Sequence, residues 1–274
     1  MKTVKFFLPA IACIALLSAV MARAEESPFP ELAGYSADQL PEPPEGFQWK
    51  LDWHDEFDGT EIDTTKWTAA EQVRRDALWS KDAFSLDGSG ILKMTTFLRE
   101  DGTYIDGCLR TRGKYEKAKG FFVARMRLHH LIGHWPAFWL MGDCETSIGN
   151  GSADGAEIDI MEKPTLDNEV NFAVHWDGYG KEHGCVSKRV PVEGVMEGFH
   201  TFALWWADDA YRFYVDGQLC WETTAEGICT KPLFVKLTDE LDFDSWAGDV
   251  RTVELPDESL VDYVRVYDLV PIQK

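Results

Sequence analysis

From Trp49 onward the chain reads as short runs of apolar residues, several of them alternating with polar ones, broken by Gly, Asp, Asn and Pro. Examples are ILKMTTFL (91–98), FFVARMRLHH (121–130), WPAFWLMG (135–142), EVNFAVHW (169–176), HTFALWW (200–206) and LVDYVRVYDLV (260–270). Each is rich in β-branched and aromatic residues, and a period of two places alternate side chains on opposite faces of a strand. YRFYV (211–215) runs into Asp216-Gly217, the signature of a hairpin turn. No stretch carries a long helical period, and no internal repeat is present. Many short strands in about 225 residues predict an all-β fold, a single sandwich of two antiparallel sheets.

The N-terminus follows a different rule. Lys2 and Lys5 precede an apolar run from Phe6 to Val20, and Ala22-Arg23-Ala24 ends it. That order predicts a signal peptide over residues 1–24, too short to serve as a membrane anchor. Cys13 lies inside the apolar run, away from the cleavage boundary, so it is not read as a lipidation site. Residues 25–47 hold five prolines (Pro28, Pro30, Pro41, Pro43, Pro44) and read as an extended lead-in. The expected organisation is signal peptide 1–24, lead-in 25–47 and one catalytic domain over 48–274. Export to periplasm, cell surface or medium follows, with no membrane insertion.

Charge narrows the partners. The chain carries a formal charge of −20, and removing residues 1–24 takes away three cations and no anions. So acidic a protein is a poor partner for nucleic acid or anionic lipid, and its sign leans toward a neutral ligand unless a local basic patch overrides it. Five cysteines remain after cleavage: Cys108, Cys144, Cys185, Cys220 and Cys229. Their irregular spacing is neither a disulfide scaffold nor a zinc site. One or two bridges, with Cys220–Cys229 closing the shortest loop, and isolated buried thiols are equally compatible with it.

Candidate chemistry concentrates in GAEIDIMEKP (155–164). Glu157 and Asp159 share a face by alternation, but Glu162 has the wrong parity. On a helix Glu157 and Glu162 would diverge. A β-bulge at Ile160–Met161 resolves the conflict by adding one residue, so all three carboxylates emerge together. The two glutamates then sit like positions four apart, roughly 13 Å between Cα atoms. Leaning side chains close that to roughly 5–6 Å, the separation a retaining glycosidase needs for direct attack on the anomeric carbon. One glutamate must stay ionised and the other protonated, and mutual repulsion helps to hold that proton.

With this motif the sequence resembles glycoside hydrolase family 16, in the branch with the bulged E-x-D-x-x-E pattern that includes laminarinase, agarase and endo-β-galactosidase. WHDEFDG (53–59), GHWPAFWLMG (133–142), FHTFALWW, YRFYVDG and VDYVRVYD (261–268) match in order, so the likeness runs from about Trp53 to Tyr267. The resemblance implies a concanavalin-like β-jelly roll with a concave substrate groove. It also implies Glu157 as nucleophile, Asp159 as its helper and Glu162 as acid/base. Trp135 and Trp139, four apart on one strand, are expected to stack on sugar as the matching tryptophans do. His175 and Trp176 are candidates for substrate contact, and one of them should face the cleft. Arg110 and Arg112 could hydrogen-bond sugar hydroxyls, although a solvated basic strand accounts for either one alone. No cofactor is expected for catalysis. The family's structural calcium would fall near Glu56 and Asp262, carboxylates of the kind that ion takes.

One segment departs from the family pattern. After PLFVKL (232–237) the chain continues TDELDFDSWAGD, with five acids and Trp246, where many glucan-cleaving relatives are Asn- and Gly-rich. A simple β-1,3-glucanase assignment is therefore not implied. The expected activity is a monomeric retaining endo-β-glycosidase acting on a polysaccharide or glycan, of β-1,3/1,4-glucan or β-galactan type. The alternatives are a non-catalytic lectin with the same groove and a transglycosylase using the same covalent intermediate.

Overall fold

A computed structural model describes residues 40–273. The expected signal peptide and most of the lead-in lie outside the described residues. Among the described residues the regular elements are strands and short 3₁₀ turns, and no helix is long and apolar enough to cross a membrane. Two sheets form the sandwich. The inner one has eight strands, with the spatial order Gly184–Pro191, Glu169–Trp176, Glu157–Glu162, Trp135–Met141, Leu233–Glu240, Cys108–Arg110 and Thr68–Ala69 along its main path. The outer one has eleven strands and is built around the long strand Asp257–Pro271, flanked by Gly120–Arg127 and Leu92–Leu98. Pairing is antiparallel apart from Ala77–Trp79 against Tyr104–Asp106.

Alternation decides which side chains meet between the sheets. On Leu233–Glu240, Leu233, Val235 and Leu237 enter the core while Phe234, Lys236, Thr238 and Glu240 face the other way, into a cleft. From the outer sheet, Phe122, Ala124, Met126, Val264 and Val266 join the same core. Each large apolar side chain removed from water contributes about 1.5–3 kcal/mol. A one-residue slip would move a whole strand's set to the wrong face, so register is strongly specified. The expected hairpin is present: Asp216 and Gly217 have φ of 49° and 73°, and Val215 pairs with Gln218. Two positive φ values in succession suit a tight turn that follows the twist of its strands.

Two expectations change, and the open question of the cysteines is decided. The last part of the lead-in is packed: Leu40 lies against the outer-face cluster with Trp49 and Trp205, and Trp49 Nε1 donates to the Pro41 carbonyl. The first strand begins at Phe47 and pairs with the C-terminal strand. All five described cysteines are free thiols, Cys108, Cys144 and Cys229 being buried, so no bridge joins Cys220 to Cys229.

The second change concerns calcium. Glu56 accepts from Arg265 through both carboxylate oxygens, at 2.8 and 2.6 Å, and Asp262 accepts from Arg125 at 2.8 Å. Burial works to raise the Glu56 pKa, but Arg265 outweighs it and holds the group below its usual value. Burial keeps Asp262 above its own despite Arg125. Calcium requires six to eight oxygens free to coordinate. Here each carboxylate already meets a guanidinium, so Glu56 and Asp262 do not fit a calcium site. Glu56, just past the first strand, and Asp262, on the last, could be matched to metal ligands from sequence, but not the arginines that paired strands bring to them.

Candidate active site

Six strands of the inner sheet present alternate residues to a cleft of about 980 Å³. Across the sheet these residues fall into rows. His175, Glu157, Met141 and Phe234 form one; Ala173, Asp159, Trp139, Lys236 and Arg110 form the next; Asn171, Glu162, Ala137 and Thr238 form a third. Between the second and third rows, Asp159 to Glu162 spans three steps while the partner strand, Trp139 to Ala137, spans two. The extra residue lies at Ile160–Met161. Both side chains there are fully buried in the core. Sinking two consecutive apolar groups into one core requires the bulge, and the bulge turns Glu162 into the cleft beside Glu157 and Asp159.

The three carboxyls have different surroundings. Glu162 is 8 % exposed and accepts from Trp135 Nε1 at 2.9 Å and Asn171 Nδ2 at 2.7 Å. Burial, and then the nearby Asp159, push its pKa up to about 8 in spite of those two donors. Glu162 thus holds a proton at neutral pH. Asp159 is also raised well above the ordinary range, first by burial and then by Glu157. Its Oδ2 has no hydrogen-bond partner and lies 3.4 Å from His175 Nε2. Glu157 is more open and accepts from the Tyr179 hydroxyl at 2.5 Å. Burial and the Glu157 charge raise the Tyr179 pKa, so the phenol stays a donor.

His175 completes this end of the cleft. Burial opposes its charge, but contact with Cys185 and the field of Glu157 outweigh that and raise its pKa. Its Nδ1 is 2.9 Å from His183 Nε2, and the two rings stack. Glu157, Asp159 and His175 bring ligand atoms within 4.8 Å of one another, a metal-competent trio among the described residues. In this chain the trio coincides with the Glu157 side of the carboxylate set.

The aromatic expectations divide. Trp135 lines the cleft, gripping Glu162 through its indole N–H, with Trp246 edge-on at 5.2 Å and the Arg75 guanidinium 4.8 Å from its ring centroid. Trp139 also lines the cleft, but it is 7 % exposed and Lys236 Nζ sits 3.5 Å from its ring centroid. That ring supports an ammonium more than it offers an open stacking surface. Trp176 does not face the cleft. Parity sends it to the side opposite His175, into the core, where its Nε1 donates to Glu226 and its ring covers Gly184. A Cβ at residue 184 would lie 2.2 Å from that nitrogen, so glycine is required there.

Sequence reasoning missed several cleft residues. Asn171 shares the parity of His175 on one strand and was findable by counting back four. Tyr179 and Trp246 sit outside regular strands, where no period exists to place them. Arg110 and Arg112, which a solvated strand would have explained, both line the cleft.

A two-sheet sandwich with a long cleft, a protonated buried glutamate and a more open one on a single bulged strand defines a glycoside-cleaving enzyme built as a β-jelly roll. The family model described as Glycosyl hydrolases family 16 matches residues 71–264, and the chain belongs to that family. It is 27 % identical over 237 residues to a keratan-sulfate endo-1,4-beta-galactosidase of Sphingobacterium multivorum, covering 81 % of this chain but only 56 % of that protein. It is 29 % identical to a beta-glucanase of Rhodothermus marinus, over 80 % of this chain and 85 % of the relative. Beta-porphyranase B of Phocaeicola plebeius is 27 % identical, with coverage of 86 % and 89 %. Among solved structures, the endo-beta-1,3-glucanase of Pyrococcus furiosus superposes with a TM-score of 0.68 at 29 % identity, over 85 % of this chain and all of the other.

Proposed function

We propose that this chain is an exported, retaining endo-β-glycosidase that hydrolyses internal β-linkages of a polysaccharide or glycan, of β-glucan or β-galactan type. One observation carries the reading. The bulged strand aims Glu157 and Glu162 into one cleft, leaving Glu157 more open and burying Glu162 so that it keeps its proton. In the first step the Glu162 carboxyl passes its proton to the glycosidic oxygen as that bond breaks, and the Glu157 carboxylate attacks the anomeric carbon. In the second, Glu162 takes a proton from water, which displaces Glu157 from the sugar. Tyr179 orients the nucleophile. Trp135 and Asn171 orient the acid. Asp159, its pKa raised by burial and by Glu157, lies between the two glutamates and within 3.4 Å of His175.

Internal cleavage is supported by a cleft crossing six strands, which leaves room for sugars on both sides of the carboxylates. Export is supported by the basic start, apolar run and Ala22-Arg23-Ala24 of residues 1–24. The test is reducing-end release by residues 25–274 on laminarin, lichenan, agarose, porphyran, carrageenan, keratan sulfate and mucin-type glycans, with Glu162→Gln beside the wild type. Oligosaccharides that appear only with the wild type establish the hydrolase. Products longer than the starting oligosaccharide would mark a transglycosylase. Tight binding without turnover on any glycan would replace the reading with a lectin.

A further inference from the structure

We infer that Lys236, Arg110 and Arg112 form an anion-binding subsite in the cleft, which takes a sulfate ester or carboxylate carried by the glycan. This inference rests on the glycan-cleaving reading of the same cleft and names the substrate class it would act on. The chain as a whole has 27 cations against 47 acids. The cleft reverses that balance: six cations and five carboxylates line it, and three of the five are Glu157, Asp159 and Glu162.

The cations are of two kinds. Arg74, Arg75 and Arg189 each meet carboxylates, Glu240 for the first two and Asp167 and Glu169 for the third. Lys236, Arg110 and Arg112 have no carboxylate within ion-pair distance among the described residues, and Lys236 and Arg112 rest against aromatic rings. Lys236 Nζ lies 3.5 Å from the Trp139 ring centroid and 5.2 Å from that of Trp79, and the Arg112 guanidinium is 5.6 Å from that of Phe234. Aromatic faces hold cations without consuming their charge.

Their placement costs stability unless something anionic arrives. Lys236 and Arg110 are direct partners across two antiparallel strands, and like charges at such positions repel. Lys236 is moreover only 9 % exposed, and its burial disfavours the charged ammonium. A sulfate or carboxylate reaching both groups would relieve the repulsion and accept charge-assisted hydrogen bonds from them. The row also fixes which sugar is read. Lys236 and Arg110 lie two and three strands from the Glu157–Glu162 strand, about 10 and 14 Å at ~4.8 Å per strand. The anion therefore sits on a sugar beside the scissile bond, not on the ring that reacts.

The experiment compares porphyran and keratan sulfate with their chemically desulfated forms, and a sialylated mucin glycan before and after sialidase. Wild type, Arg110→Met and Arg112→Gln are assayed on each pair, and the ratio of kcat/KM on charged over uncharged glycan is read. The expected wild-type preference is about tenfold or more for at least one charged form, carried mainly by KM and reduced by added salt. Arg110→Met should lower that preference about tenfold and Arg112→Gln by less. Preference in the sulfate pairs identifies a sulfate ester, and in the sialidase pair a carboxylate. Turnover with a ratio near one, or a preference intact in both variants, overturns the subsite and leaves the hydrolase reading standing. Affinity electrophoresis of Glu162→Gln in gels holding each glycan separates the remaining cases. Charge-dependent retardation without wild-type turnover keeps the subsite and removes the hydrolase. Absence of both turnover and charge-dependent retardation overturns the subsite.

Discussion

The two sheets treat their carboxylates differently. On the outer sheet Glu56 and Asp262 each face an arginine from a neighbouring position, Arg265 and Arg125. On the inner sheet Glu157, Asp159 and Glu162 face one another, with neutral donors and a histidine around them. A guanidinium neutralises a carboxylate and makes it structural. Withholding that guanidinium, in a buried cleft, lets burial raise the Glu162 pKa so that its proton is held at neutral pH and can be used.

The largest effect that would break this contrast is on turnover. Glu157→Gln and Glu162→Gln should each lower kcat by about a thousandfold or more on a substrate the wild type cleaves, with far-UV circular dichroism unchanged. Near-wild-type rates in either folded variant would end the assignment of roles.

A pH profile sharpens it next. The acid role requires a protonated Glu162, so kcat/KM should fall on the alkaline side near pH 8. Asn171 donates to that carboxyl and so favours its charged form. Asn171→Ala should move the alkaline limb upward by about half a unit or more. The same group links to stability. Glu162 binds its proton more tightly folded, at about 8, than at its ordinary value of 4.5. Its contribution is therefore complete below pH 4.5 and is lost as pH rises through about 8. Across that window the wild-type Tm should decline more than that of Glu162→Gln; parallel curves would contradict the burial argument.

On the outer sheet the expected changes are in stability and are smaller. Arg125 is 3 % exposed, and Arg125→Met leaves Asp262 without its partner, at a cost of about 2–3 kcal/mol in denaturant unfolding. Turnover per folded molecule should not change. Smallest of all is the response to calcium. With both outer carboxylates matched to arginines, calcium chloride or a chelator should shift Tm by no more than about 1 °C, whereas a rise of several degrees would show that the arginines yield to the ion.

Much of this was legible along the chain because strand periodicity is local. Alternation in EVNFAVHW and PLFVKL separates core from cleft residues with no knowledge of neighbours. The parity conflict in EIDIME contains the bulge, because Ile160 and Met161 cannot both be buried without one. The same alternation let only one of the neighbours His175 and Trp176 face the cleft; it is His175 that does, and Trp176 enters the core.

What the sequence by itself determined is which residues share a face, and with it the all-β sandwich and the three carboxylates on one strand. What each face meets was decided by the tertiary structure. Arg265 reaches Glu56 across 209 positions of chain, Arg74 reaches Glu240 across 166, and Arg110 comes to lie opposite Lys236. A carboxylate becomes an ion-pair partner, a metal ligand or an acid according to the charge and burial that adjoining strands bring to it. Strand order joins residues far apart in the chain, and no periodicity within a strand encodes that order.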